Sequence, residues 1–100
     1  MKQYNVGILG ATGAVGREMM KILAERNFPV AELRLLAGPR SAGSTLAWRG
    51  REVPDLLTCD EAFEGLDLVL GAADIDIAER FAPAIARAGA VFVDNSSAFR

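Results

Sequence analysis

Three glycines spaced G-x-x-G-x-x-G, set between an apolar run and a segment of helical period, constrain this chain more than any other feature. Tyr4-Asn5-Val6-Gly7-Ile8-Leu9 is short and apolar, as a buried strand is. Gly10-Ala11-Thr12-Gly13-Ala14-Val15-Gly16 follows, and from Val15 to Arg26 the period changes. Val15, Met19, Ile22 and Leu23 recur at helical spacing, with Arg17, Glu18, Lys21 and Glu25 on the other face. Strand, glycine turn and helix in immediate succession open a βαβ unit, whose return strand lies parallel to the first.

The remainder continues the alternation. Asn27, Phe28 and Pro29 end the helix, because proline disfavours helical geometry in the residue before it. Glu32 to Ala37 is a second apolar strand, stopped by Gly38-Pro39. Leu46-Ala47-Trp48 and Glu52-Val53 flank Arg49-Gly50-Arg51 as a small hairpin or two edge strands. Thr58 is the expected N-cap of a short turn through Phe63. Asp67 to Gly71 is a third strand, and Ile75 to Ala88 a second helix closed by Gly89. Pro83 either kinks that helix or marks the first turn of one that starts later. Ala90 to Asp94 is a fourth strand, with Asn95-Ser96-Ser97 leaving its end. The expected fold is α/β, a Rossmann-like doubly wound, mainly parallel sheet with helices on both faces, residues 1–100 forming one domain. The chain stops directly after a strand and its loop, which leads us to expect an incomplete domain.

Composition sets further bounds. A net charge of −2 leaves no footprint for nucleic acid or an anionic membrane. No apolar run approaches the roughly 20 residues of a membrane span, and the opening Met1-Lys2-Gln3-Tyr4 enters a strand without a signal peptide. One cysteine, Cys59, excludes an internal disulfide and fits a reducing cytoplasm. With no histidine and one thiol, these residues alone cannot run a His-dependent acid–base or nucleophilic mechanism.

The glycine turn has a definite chemistry. Gly10 permits the tight turn, Gly13 lets a pyrophosphate approach the backbone, and Gly16 lets the helix pack closely on the strand. Amides from Thr12 through Val15 would face the phosphates from a helix N-terminus. The other reading is a turn that only packs strand on helix. About 20 residues on, an NAD site carries an acid for the ribose 2′-hydroxyl. Here Leu36-Ala37-Gly38-Pro39-Arg40-Ser41 has none, while Arg40 and Ser41 suit a 2′-phosphate. The expected cofactor is therefore NADP, the other reading being a solvated loop arginine.

Three successive stretches carry a resemblance: the Gly10–Gly16 turn, then Arg40-Ser41-Ala42-Gly43, then Asp94-Asn95-Ser96-Ser97-Ala98-Phe99-Arg100. Together they resemble the aspartate-semialdehyde dehydrogenase family over the whole chain, and the last is the most specific. The resemblance implies reductive dephosphorylation of 4-phospho-L-aspartate by NADPH to aspartate semialdehyde and phosphate, on the route to lysine, threonine and methionine. It implies a cysteine nucleophile and a histidine in a second half, so no catalytic residue is expected in this chain, which alone should be inactive. It places Thr12, Gly13, Ala14 and Val15 at the pyrophosphate, Arg40 and Ser41 at the 2′-phosphate, Asn95 near the nicotinamide and Arg100 on the substrate's phosphate. It also implies a homo-oligomer paired through the second domain. For Asn95 the other reading is a polar loop closing the fourth strand, and for Arg100 a frayed terminal arginine. Family members often carry a Ser-Ala-Gly-Gly loop where this chain has Gly71-Ala72-Ala73-Asp74; Ala72 and Ala73 still allow close approach, but Asp74 brings an acid toward a polyanion. Cys59 lies too early for the nucleophile and reads as a structural thiol. The related N-acetyl-glutamyl-phosphate reductase closes with D-L-S-A-D-F-R, from which Asn95 and Ala98 depart. A binding-only module remains the alternative of a different class.

Overall fold

In the computed structural model, which describes residues 3–11, 13–72 and 75–94, the first strand is the axis of the molecule. This strand, β1 (Tyr4–Leu9), lies in a six-stranded sheet with β2 (Val30–Ala37), β3 (Thr45–Trp48), β4 (Arg51–Leu57), β5 (Leu68–Gly71) and β6 (Val91–Asp94). The order is β3-β4-β2-β1-β5-β6. Every pairing is parallel except β3 with β4. Strand order reverses across β1, with β2 on one side and β5 on the other, which is where doubly wound sheets open a ligand crevice.

Two helices cover the two faces. Helix α1 (Ala14–Glu25) buries Gly16, Met19, Met20 and Leu23, and its apolar side chains pack against Val6, Ile8, Leu33 and Leu35. Helix α2 (Ile75–Arg87) packs Phe81, Ala84 and Ile85 against Leu9, Leu36, Phe63, Leu66 and Val69 on the other face. Leu35 and Leu36 are adjacent yet belong to different faces, as the two-residue period of a strand dictates. Burying each such side chain contributes about 1.5–3 kcal/mol.

The helix ends differ from one another in chemistry. Asn27 takes a left-handed conformation (φ 51°) and closes α1, with the Phe28 amide donating to Leu23 O at 3.1 Å. Gly89 does the same for α2 (φ 79°), the Ala90 amide reaching Ile85 O at 3.3 Å. The second helix runs through Pro83 rather than starting after it. Pro83 and Glu79, whose carbonyl loses its donor, are both exposed, so that carbonyl is open to water.

Two expectations are corrected. The hairpin is present, but β4 continues to Leu57 because Asp55, Leu56 and Leu57 pair in parallel with Leu35, Leu36 and Ala37 of β2. Thr58 does not cap the following 3-10 turn (Asp60–Phe63), where Cys59 occupies the N-cap without a side-chain bond. Its hydroxyl donates instead to Ala37 O at 3.0 Å and ties the end of β4 to the end of β2.

Candidate functional site

Strand register brings the ends of β1, β2, β5 and β6 to one edge. Leu9 is level with Leu36 of β2 and Gly71 of β5, and Gly71 is level with Asp94 of β6. The carboxyl ends of four strands thus stop together, with the glycine turn at their centre. The amides of Gly10 and Ala11 both donate to Leu36 O, at 2.9 and 3.2 Å, which fastens the turn to β2. On the other side the Ala72 amide donates to Leu9 O at 2.8 Å, placing half-buried Ala72 beside the turn.

Each glycine in this turn has its own physical reason. Gly10 has φ 83°, a conformation that a side chain strains. A β-carbon on Gly16 would lie 2.5 Å from Gly10 O and 2.7 Å from Ala11 Cα, so only hydrogen fits where α1 meets the turn. Gly13 is exposed at the N-cap, with φ −77°, and a β-carbon there would meet only Gly10 O, at 3.6 Å. Nothing among the described residues excludes a side chain at Gly13. The room it leaves faces outward, where an anion would approach α1.

The donors at this end of α1 are fewer than expected. The Gly13 amide turns back to Gly10 O at 3.2 Å, so it is engaged within the turn rather than presented outward. Among the described residues the amides of Ala14 and Val15 donate to no backbone carbonyl, as the first turn of a helix requires. No acid stands in that turn to compensate the positive end of the helix. The donor set, two amides without an acceptor among the described residues beside a position without a side chain, fits a phosphate or diphosphate.

Arg40 and Ser41 sit in the turn that follows β2. The amides of Ser41 and Ala42 both donate to Gly38 O, at 3.1 and 3.0 Å, and the Gly43 amide donates to Asp55 O at 2.8 Å. The turn is thereby pinned at both ends. Arg40 is exposed and, among the described residues, makes no ion pair, while Ser41 is half-buried. Gly10, Gly38 and Pro39 border a cleft of about 300 Å³ that continues to Leu57 and Thr58 of the β4 end and Ile77 and Arg80 of α2. That volume lies at the lower end of small-molecule sites. Larger hollows of about 430 and 530 Å³ border β3, and neither touches the glycine turn. Thr12, Ala73, Asn95 and Arg100 lie outside the described residues.

Two features of this region escape a reading by sequence alone. Leu57, Ile77 and Arg80 converge on the cleft from separate elements, a meeting that only the sheet order produces. Asp55 is 2% exposed and neither carboxylate oxygen has a hydrogen-bond partner. Its desolvation raises its pKa, and the charge of Arg17 opposes that rise. The detectable signal was its inward position two residues after Val53, on the two-residue period of β4.

The family described as semialdehyde dehydrogenase, NAD binding domain, matches residues 5–100. An aspartate-semialdehyde dehydrogenase of Synechocystis is 58% identical over 95 residues, covering 95% of this chain and 28% of that protein. One from Aquifex aeolicus is 46% identical over 98 residues, 97% of this chain and 29% of the relative. The chain therefore spans under a third of the length of these relatives. Among solved structures, aspartate semialdehyde dehydrogenase II of Vibrio cholerae, complexed with ASA, superposes with a TM-score of 0.91 at 42% identity, over 98% of this chain and 32% of that one. The Candida albicans enzyme, solved with NADP, shares the fold (TM-score 0.71) at 22% identity, over 98% of this chain and 31% of that one.

Proposed function

This chain belongs to the semialdehyde dehydrogenase family, within its NAD-binding domain, and on that premise we propose that it seats NADP for reduction of an acyl phosphate. The observation that carries the proposal is the pair of amides, Ala14 and Val15, that have no acceptor among the described residues, beside Gly13 at the carboxyl edge of the sheet. These amides and the positive end of α1 would hold the diphosphate. Ala72 closes the seat from the β5 side without bulk. Gly38 and Pro39, which border the cleft at the end of β2, would receive the adenosine half. Arg40, exposed and without an ion-pair partner among the described residues, meets the 2′-phosphate with a planar fork of donors, and Ser41 adds a hydroxyl.

The reaction served is that of the family as its resemblance implies it: 4-phospho-L-aspartate to L-aspartate 4-semialdehyde and phosphate, leading toward lysine, threonine and methionine. When bound, the nicotinamide supplies the hydride. This chain's residues bind and orient; they hold no histidine, and Cys59, half-buried at the N-cap of the Asp60–Phe63 turn, is far in sequence from the glycine turn. By the resemblance alone, Asn95 would serve the nicotinamide end and Arg100 the substrate phosphate; both lie outside the described residues. A nucleophilic cysteine and a histidine come from a second domain, through which the protein forms a homo-oligomer in the cytoplasm.

The test is cofactor preference. Fluorescence titration of the full-length gene product should show tighter binding of NADP than of NAD, and Arg40→Ala should narrow that preference by roughly 10-fold, the worth of one charge-assisted hydrogen bond. Equal affinities in the wild type would defeat the 2′-phosphate assignment.

A further inference from the structure

Arg80 has no place in the reading so far. It lies on the second turn of α2, exposed, with its guanidinium carbon 5.2 Å from the centroid of the Phe81 ring. Among the described residues no carboxylate pairs with it. It lines the 300 Å³ cleft together with Pro39 and Leu57. Leu57 and Ile77, which also line it, are 51% and 37% exposed, two large apolar side chains from different elements left open to water in one place. Apolar walls with a single planar cation along one side match a flat, weakly polar ring system better than they match a phosphate.

We infer that Arg80 is a nucleotide-binding residue that stacks its guanidinium on the adenine ring of the dinucleotide, with Leu57 and Ile77 supplying the apolar walls. The inference rests on the dinucleotide reading above and adds a role that the glycine turn and Arg40 do not fill. A guanidinium plane over an aromatic face gains from the ring quadrupole, and it loses little hydration in doing so. The interaction involves the base alone. It therefore contributes equally to ligands with and without a 2′-phosphate, whereas Arg40 contributes to the phosphorylated one.

The probes are adenosine 2′,5′-bisphosphate, adenosine 5′-monophosphate and ribose 5-phosphate, titrated calorimetrically into the full-length gene product. Arg80→Ala should weaken both adenosine ligands by a similar factor, roughly 5- to 30-fold, and leave ribose 5-phosphate unchanged. Arg80→Lys should recover only part of the loss, since an ammonium keeps the charge and lacks the flat face. A far-ultraviolet spectrum matching the wild type confirms that each variant folds, as expected for an exposed residue. A loss confined to the bisphosphate overturns the stacking role and makes Arg80 a second phosphate cation. Unchanged affinity for both adenosine ligands removes Arg80 from the site while leaving the dinucleotide reading intact. If the wild type binds neither adenosine ligand, both readings fall together.

Discussion

Gly13 and Gly16 sit three residues apart in one turn, yet alanine should act on them through different physics. At Gly16 the new β-carbon would stand 2.5, 2.7 and 2.8 Å from three backbone atoms, Gly10 O, Ala11 Cα and Ala11 C. Ordinary contact begins near 3.4 Å, so the turn must retreat by more than half an ångström, and no rotamer change can relieve backbone. Overpacking of this kind costs about 1–3 kcal/mol, offset by up to about 1 kcal/mol of better helix propensity. A net loss of about 1–2 kcal/mol in stability is expected, with weaker cofactor binding because the turn itself has moved. At Gly13 the β-carbon meets only Gly10 O at 3.6 Å, and the backbone angles suit any residue. Alanine is a poorer N-cap, at a cost below about 1 kcal/mol. Its methyl group would stand where the diphosphate approaches, and losing one hydrogen bond to a charged group weakens binding by roughly 10- to 100-fold. Urea unfolding and NADP titration of both variants separate the two effects. A folded Gly13→Ala protein that binds NADP within twofold of the wild type would refute the reasoning.

Asp55 supplies a prediction about pH. Its folded pKa is raised by burial, so its contribution to stability is fully present below the ordinary aspartate range and is lost as pH rises through the raised folded value. The buried carboxyl group, without a hydrogen-bond partner among the described residues, is a liability of about 1–3 kcal/mol. Asp55→Val, a strand-favouring residue of smaller polarity, should raise the urea midpoint at pH 7 and lessen its fall with rising pH; an unchanged or lower midpoint at pH 7 contradicts this. Arg49 carries a structural task instead: its Nη2 donates to Leu23 O and Phe28 O, both at 2.9 Å, and its guanidinium carbon lies 4.3 Å from the centroid of the Trp48 ring. Arg49→Ala should cost about 1–3 kcal/mol in urea unfolding and leave NADP affinity unchanged; a selective loss of affinity would reassign it to the site.

The sheet was legible because its inner strands are unbroken apolar runs, and the turn that opens α1 because three glycines at that spacing have few other uses. What long-range pairing decides was not legible. Leu56 and Leu57 belong to β4 only because β2 lies beside them, and Thr58 serves as a tie rather than a cap because Ala37 O is near in space and remote in sequence. The inward place of Asp55 was hidden by ending the strand at Val53. The bond from the Gly13 amide to Gly10 O has a local cause invisible in the glycine spacing: a tight turn satisfies its own donors first. Arg40 and Ser41 are proposed from their offset after β2, whereas Arg80 borders the cleft through the packing of α2, which no local pattern announces.

The position of the diphosphate decides whether the amino end of α1 is the cofactor seat. A crystal structure of the full-length gene product grown with NADP measures this directly. Diphosphate oxygens within hydrogen-bonding distance of the Ala14 and Val15 amides are the predicted result. Ordered NADP whose diphosphate lies elsewhere, with both amides facing only water, would contradict it.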